Sequence, residues 1–306
     1  AIRSANEQLL RLEGDQLTRI GIDPKLPEFL PLWAKANGVD LISEDGQTAQ
    51  FDQPQVAEAL QFAVDLINAH GGRDPFLDFR LTFDPFGITN QWATEKVAAQ
   101  PYEQFFYNAL LGLTAEGPGG ELVWSTTAGE EGATPNPSVP PDNVVDLSFA
   151  PFVDRQGNPL TFATGQGLAV TSATDAPEAA CAWVATMTSD EAWVRAAQER
   201  KRLRDESGQA NTGTFTANSI ATDRIFSEVI DVDALPEPFN EAVRVTLDNQ
   251  ANAFSLPATP GAAAIFEGED SIMAQAVARA LDGEPVEQVL ADAQAEAQAA
   301  IDEANQ

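Results

Sequence analysis

Tyr102-Glu-Gln-Phe-Phe-Tyr107 sets aromatic rings around a carboxylate directly after Lys96-Val-Ala-Ala99. That combination suits carbohydrate recognition: the apolar C–H face of a sugar stacks on a ring while its hydroxyls bond to carboxylates and amides. Tyr102 and Phe105 flank Glu103 in this way. Phe266 follows Leu256-Pro-Ala-Thr-Pro-Gly261 and opens onto Glu267. The competing reading places these rings in the core, and it suits Tyr102 least because a hydroxyl needs a partner. A second stretch is Gly165-Gln166-Gly167. Two glycines around an amide permit positive φ or close approach of another surface. A hinge, a ligand-contacting turn and a tight connection are all open there.

Other chemistries find little support. One cysteine and one histidine exclude Cys/His zinc sites and leave almost nothing for a Ser-His-Asp or Cys-His mechanism. Cys181 lies in an apolar helical stretch and reads as a buried structural thiol. His70 precedes Gly71-Gly72 at a helix end, where a cation complements the dipole. The glycines at 165 and 167 precede a short apolar strand rather than open a helix, so they fit no dinucleotide fingerprint. There is no P-loop and no EF-hand spacing. Neither a metal nor a cofactor is expected. Acid pairs such as Glu130-Glu131 arise from composition alone when 47 acidic residues face 17 basic ones. The net charge of −30 argues against nucleic acid and anionic membranes as partners.

The elements that must position these residues alternate between strand and helix, which implies a helix-rich α/β protein. An amphipathic helical pattern covers residues 1–13, with Leu9, Leu10 and Leu12 as apolar members. Leu17–Ile22 reads as a strand closed by Asp23-Pro24, and Leu30–Ala36 as a helix stopped by Asn37-Gly38. Gly46 turns between short strands near Leu41-Ile42 and Ala49–Phe51. Val56, Leu60, Val64 and Ile67 stripe a helix that begins at Asp52-Gln-Pro-Gln and ends at Gly71-Gly72. Residues 115–142 are Gly/Pro-rich and read as a loop. Val144–Phe152 reads as a strand. After Gly167 a short strand leads to a helix with Asp175 and Glu178 at capping-box spacing, running through Ala180, Trp183, Val184 and Met187. Ser189 caps the next helix, whose Arg200-Lys-Arg-Leu-Arg204 cluster is a solvated helix end. Two helices, near Asp270–Leu281 and Pro285–Ala304, close the chain. Trp92 and Trp193 are expected inside.

Several segments together resemble the extracellular solute-binding proteins of ABC importers, in the carbohydrate-type family that includes maltose-binding protein. They are Trp33–Gly38 with Gly46 and Phe51-Asp52, the helix over Asp52–Gly72, Thr94–Ala99, the stretch around Gly165–Trp183 and the C-terminal helix. Glu95 and Ala99 depart from the usual Gly and Met of the third. The resemblance implies a bilobal, periplasmic-binding-protein-like (type II) α/β fold with its first lobe incomplete. Residues 1–160 would begin the second lobe, residues 161–232 would be a remnant of the first with the crossing strand, and residues 233–306 would return to the second.

The resemblance also implies a function. A neutral carbohydrate is held between lobes that close on it and is delivered to an ABC permease, without catalysis, by a monomer in the periplasm or extracellular space, free or lipid-anchored. Carried over by position, Glu28 and Phe29 line the cleft and Tyr102, Glu103 and Phe105 supply a stacking segment. Gly165 and Gln166 form the inter-lobe turn, and Phe266 lies near the rim. The alternatives are an acidic carbohydrate-active enzyme using paired carboxylates, or a scaffold fragment that binds no ligand.

Overall fold

The computed structural model of the chain describes residues 1–116, 119–125, 144–165 and 167–306. The first helix, α1 (Ile2–Leu9), stops short of the expected residue 13. The chain instead folds into β1 (Arg11–Glu13), which turns at Gly14 (φ +62°) and pairs antiparallel with β2 (Gln16–Ile22). Leu12 therefore belongs to a hairpin and not to the helix stripe. Next come α2 (Leu30–Ala36), α3 (Pro54–Asn68) and α4 (Arg73–Arg80), and the chain returns as β3 (Val97–Ala99). β3 lies parallel to β2, with Ile20 opposite Val97 and Ile22 opposite Ala99. The helix α4 has no counterpart in the sequence reading.

The expected stripe of α3 is buried throughout, and it packs on α11 (Ile272–Leu281) and α12 (Val286–Ala304). Val286, Leu290, Ala293, Ala297 and Ile301 of α12 are all buried in the same core cluster. Two glutamines of α12 also satisfy backbone groups of the segment before α3. Gln294 accepts from the Phe51 N–H at 2.8 Å and donates to the Ala49 carbonyl at 2.8 Å, and Gln298 accepts from the Ala49 N–H at 3.0 Å. The turn feeding this segment needs its glycine. Gly46 has φ +72°, and a Cβ there would meet the Ala258 carbonyl oxygen at 2.1 Å.

His70 is not the dipole-compensating cation expected at a helix end. It is 1% exposed, its Nε2 accepts from the Gly21 N–H at 2.9 Å, and its Nδ1 therefore donates to the Leu66 carbonyl at 2.7 Å. Burial holds its pKa below the ordinary 6.5, so the folded chain binds fewer protons here than the unfolded chain. The stabilisation is complete above pH 6.5 and is lost as pH falls from there through the lower folded value. Protonation also turns Nε2 into a donor facing the Gly21 N–H, leaving a buried group unsatisfied at a cost of about 1–3 kcal/mol. His70→Gln is accordingly expected to flatten the fall in thermal midpoint between pH 7 and pH 5.5. Parallel pH profiles for the two proteins would show that His70 does not drive it.

The middle of the chain departs most from expectation. α5 (Phe106–Gly112) precedes an antiparallel pair, β4 (Thr114–Glu116) and β5 (Leu122–Trp124), so the expected loop begins as paired strands. Most of the remaining loop lies outside the described residues. Val144–Phe152 is not a continuous strand: Val144 bridges Val123, and only β6 (Phe152–Val153) pairs, with β7 (Pro159–Phe162). No strand follows Gly167. The next helix, α6 (Pro177–Met187), has Ala176 at its N-cap with no side-chain cap, so Asp175 and Glu178 do not form the expected box. None of its residues is buried. Cys181 and the side chains of Trp183 and Met187 are exposed, because no described element covers that face of α6. Both Trp92 and Trp193 are partly buried, each against one of two smaller apolar clusters.

In α7 (Asp190–Glu206) Ser189 is the N-cap, accepting from the Ala192 N–H. Within the basic cluster Arg202 pairs along the helix with Glu199 and Glu206 and Lys201 with Asp205, but Arg204 is not solvated as expected: it is partly buried and donates to the Ala210 and Asn108 carbonyls. The chain continues through α8 (Ser219–Arg224), α9 (Phe239–Asn249), β8 (Ala253–Phe254), which lies parallel to β7, and α10 (Ala262–Phe266) before α11 and α12.

Candidate functional site

Parallel pairing of β2 and β3 explains how residues far apart in sequence meet. Ile22 and Ala99 are partners, and the Asp23 N–H still donates to the Ala99 carbonyl at 3.0 Å. The two segments leaving the C-terminal ends of these strands, Asp23–Phe29 and Gln100–Phe105, therefore emerge side by side. Open α/β sheets bind ligands at this end of their parallel strands.

Lys25 joins the two segments. It adopts φ +55°, a left-handed conformation unusual for a lysine, and its N–H donates to Asp23 Oδ1 at 2.8 Å. Its side chain is 11% exposed, and Nζ lies 2.7 Å from Glu103 Oε2. The same ammonium sits 3.9 Å from the ring centroid of Tyr102 and 5.0 Å from that of Phe29. Such contacts are favourable by about 0.5–2 kcal/mol depending on desolvation. Asp23 is buried and faces Arg80 Nε at 3.5 Å. Two ion pairs, Arg80 with Asp23 and Lys25 with Glu103, are thus joined through the Lys25 N–H bond to Asp23. From behind, Trp33 Nε1 donates to the Pro24 carbonyl at 2.9 Å and pins the loop.

Tyr102 is half-buried among Trp92 (centroids 5.2 Å) and Phe106 (4.5 Å). Burial, reinforced by the charge of Glu103, pushes its pKa up to about 12, against the opposing effect of a hydrogen bond with Gln91. The phenol thus stays protonated across the physiological range. Glu103 keeps lone pairs for ligand hydroxyls beyond the one Lys25 engages.

Of the residues singled out from sequence, Phe29, Tyr102 and Glu103 meet around Lys25, and Glu28 lies exposed beside Phe29. Phe29 also meets Phe162 edge-on at 6.5 Å, and Phe162 stacks on Phe254 at 5.1 Å. That links the cluster to β7, whose chain runs on to the exposed Gly165. Gln166 lies outside the described residues. Phe105 is 56% exposed and stands edge-on to Phe106 at 6.3 Å. Phe266 instead stacks on Phe51 at 6.3 Å, half-buried against the main core. Lys25, Asp23 and Arg80 escaped the sequence reading. The one available signal was their position, since Asp23 and Lys25 directly follow a strand end.

No protein-family model and no curated protein matches the chain. Solved structures do match. A protein titled CpMnBP1 with mannotriose bound aligns at TM-score 0.65 and 14% identity, over 97% of this chain and 64% of its own. An ABC transporter solute-binding protein from Thermotoga lettingae TMO, bound with alpha-D-tagatose, aligns at 0.61 and 16%, over 98% and 63%. The maltose/maltodextrin-binding domain MalE from Bdellovibrio bacteriovorus, bound to maltotriose, aligns at 0.56 and 13%, over 98% and 65%. The chain spans less than two thirds of the length of each. It has the helix-rich α/β, periplasmic-binding-protein-like (type II) fold of the ABC-transporter solute-binding proteins.

Proposed function

We propose that this chain is part of an extracytoplasmic binding protein that captures a neutral carbohydrate and hands it to an ABC permease. The observation that carries the reading is the cluster at the C-terminal ends of β2 and β3. It sets the exposed ring of Phe105 next to the Glu103 carboxylate held by Lys25, the apolar face and the acceptor that a polyhydroxylated ligand needs. The matched structures named above hold mannotriose, tagatose and maltotriose, which supports the ligand class. Residues 1–160 and 233–306 form one lobe in this reading. The main apolar core supports it, because it joins Leu17–Val97 to Ile265–Ile301. Residues 161–232 belong to the other lobe, and the turn between the lobes is at Gly165.

The protein binds without turning its ligand over and acts as a monomer in the periplasm or extracellular space. Among the described residues no helix is long and apolar enough to cross a membrane. Isothermal titration with mannotriose, maltotriose and tagatose is the test, and saturable one-site binding to at least one is expected. A flat response across these sugars, polyols and amino acids removes the carbohydrate reading. Release of reducing sugar from an oligosaccharide would replace it with an enzymatic one.

A further inference from the structure

We infer that the rings carrying a bound sugar are the exposed pair Phe86 and Phe105, because Lys25 already engages Tyr102 from within. This rests on the carbohydrate reading above and assigns the stacking surface inside it.

Tyr102 is occupied by its own neighbours. An ammonium lies 3.9 Å from its ring centroid, and Phe106 and Trp92 pack at 4.5 and 5.2 Å. Stacking brings carbon atoms to about 3.5–4 Å, the distance at which Lys25 now sits. A sugar on that face would have to displace the ammonium and break its bond to Glu103.

Phe86 and Phe105 differ in this respect. They are 60% and 56% exposed, and both stand nearly perpendicular to the fully buried ring of Phe106. Centroids lie at 5.0 Å with a 71° interplanar angle for Phe86, and at 6.3 Å with 85° for Phe105. One buried ring thus holds two solvent-facing rings at one place. The turn presenting Phe86 is also closed on itself. The Phe86 N–H donates to Asp84 Oδ1 at 3.0 Å, the Asp84 N–H donates to Thr89 Oγ1 at 3.1 Å, and a Cβ on Gly87 would meet Asp84 Oδ2 at 2.7 Å. Such a preorganised pair loses little entropy on binding. Asp84 in the Phe86 turn and Glu103 two residues before Phe105 supply acceptors for hydroxyls, and their negative charge disfavours an anionic sugar. The geometry therefore fits a neutral pyranose unit of an oligosaccharide.

Titration of mannotriose and maltotriose into the wild-type chain and into Phe86→Ala, Phe105→Ala, Tyr102→Phe and Tyr102→Leu variants tests this. Phe86→Ala and Phe105→Ala are each expected to weaken binding at least about tenfold, with an unchanged unfolding midpoint because both rings are exposed. Tyr102→Phe is expected to change Kd less than about threefold. Wild-type affinity in both phenylalanine variants, with binding lost in a Tyr102→Leu variant of native circular dichroism, overturns the assignment and leaves the carbohydrate reading standing. Absence of binding by the wild-type chain removes both.

Discussion

Gly21→Ala is expected to lower the unfolding free energy by more than about 3 kcal/mol, because the position has no room for a methyl group. A Cβ there would lie 2.4 Å from the Asn6 carbonyl oxygen, 2.7 Å from Asn6 Oδ1 and 3.0 Å from the Leu10 backbone nitrogen. Two of the three obstructing atoms are backbone, so a side-chain rotation cannot relieve the clash. α1 must lift away from β2. Doing so disturbs the buried Asn6, whose Oδ1 accepts from the Ile22 N–H at 2.7 Å and whose Nδ2 reaches the Leu66 carbonyl at 3.4 Å. It also strains the Gly21 N–H bond to His70. Overpacking alone costs about 1–3 kcal/mol, and each buried polar group left unsatisfied adds about 1–3. The opposing gain, from a stiffer unfolded chain, is only about 0.4–1 kcal/mol. The clash wins. Urea denaturation at pH 7.5 measures the difference, and a loss below about 1 kcal/mol would show that α1 is loosely attached and can yield.

That position illustrates what the sequence conveyed and what it withheld. Gly21 reads as one residue of a short strand, and β2 lies where the segment Leu17–Ile22, closed by Asp23-Pro24, put it. The close approach of α1 depends on a contact that no local pattern encodes. Elements with several turns of one-sided apolar spacing, α3 and α12, were legible because burying such a stripe is the only way to stabilise it. The order of these segments along the chain carried the fold class. Short elements were not legible. α4 has a proline in its first turn and few periodic positions, and β1 holds three residues that continue a helical pattern until Gly14 turns them back.

The candidate site was half legible. Tyr102, Glu103 and Phe105 announced themselves by residue type, and Phe29 came through family resemblance. Lys25 did not, for a physical reason. Its partner Glu103 is 78 residues away in sequence, and only the parallel register of β2 and β3 brings them together. A buried ammonium is also the exception for lysine, so composition gave no reason to look for one. The opposite error occurred at α6. Ala180, Cys181, Trp183 and Met187 have the types of a buried face, yet residue type states only that burial would be favourable. It does not say that a neighbouring element exists to provide it.

Glu103→Ala is expected to cost about 2–3 kcal/mol of stability, the larger part of it through Lys25. Removing one partner of a fully buried ion pair costs about 3–5 kcal/mol because the other charge is left desolvated. Lys25 approaches that limit at 11% side-chain exposure, but Glu103 is 36% exposed, so water can partly replace the carboxylate and the figure falls. Contacts with the rings of Tyr102 and Phe29 survive the substitution and hold the ammonium where it is, worth about 0.5–2 kcal/mol. They cannot accept a hydrogen bond. Removing both charges together tells the cases apart: Lys25→Met with Glu103→Gln is expected to come within about 1 kcal/mol of wild type, since neither member is then buried alone. The double-mutant cycle should thus give a coupling of at least about 1 kcal/mol. Because the pair is largely shielded, raising salt from 0.05 to about 0.5 M should change that coupling little. A coupling near zero would mean that Asp23 and the rings hold Lys25 without Glu103. Tyr102 would then remain covered when the carboxylate is lost, and the acid would serve the ligand alone.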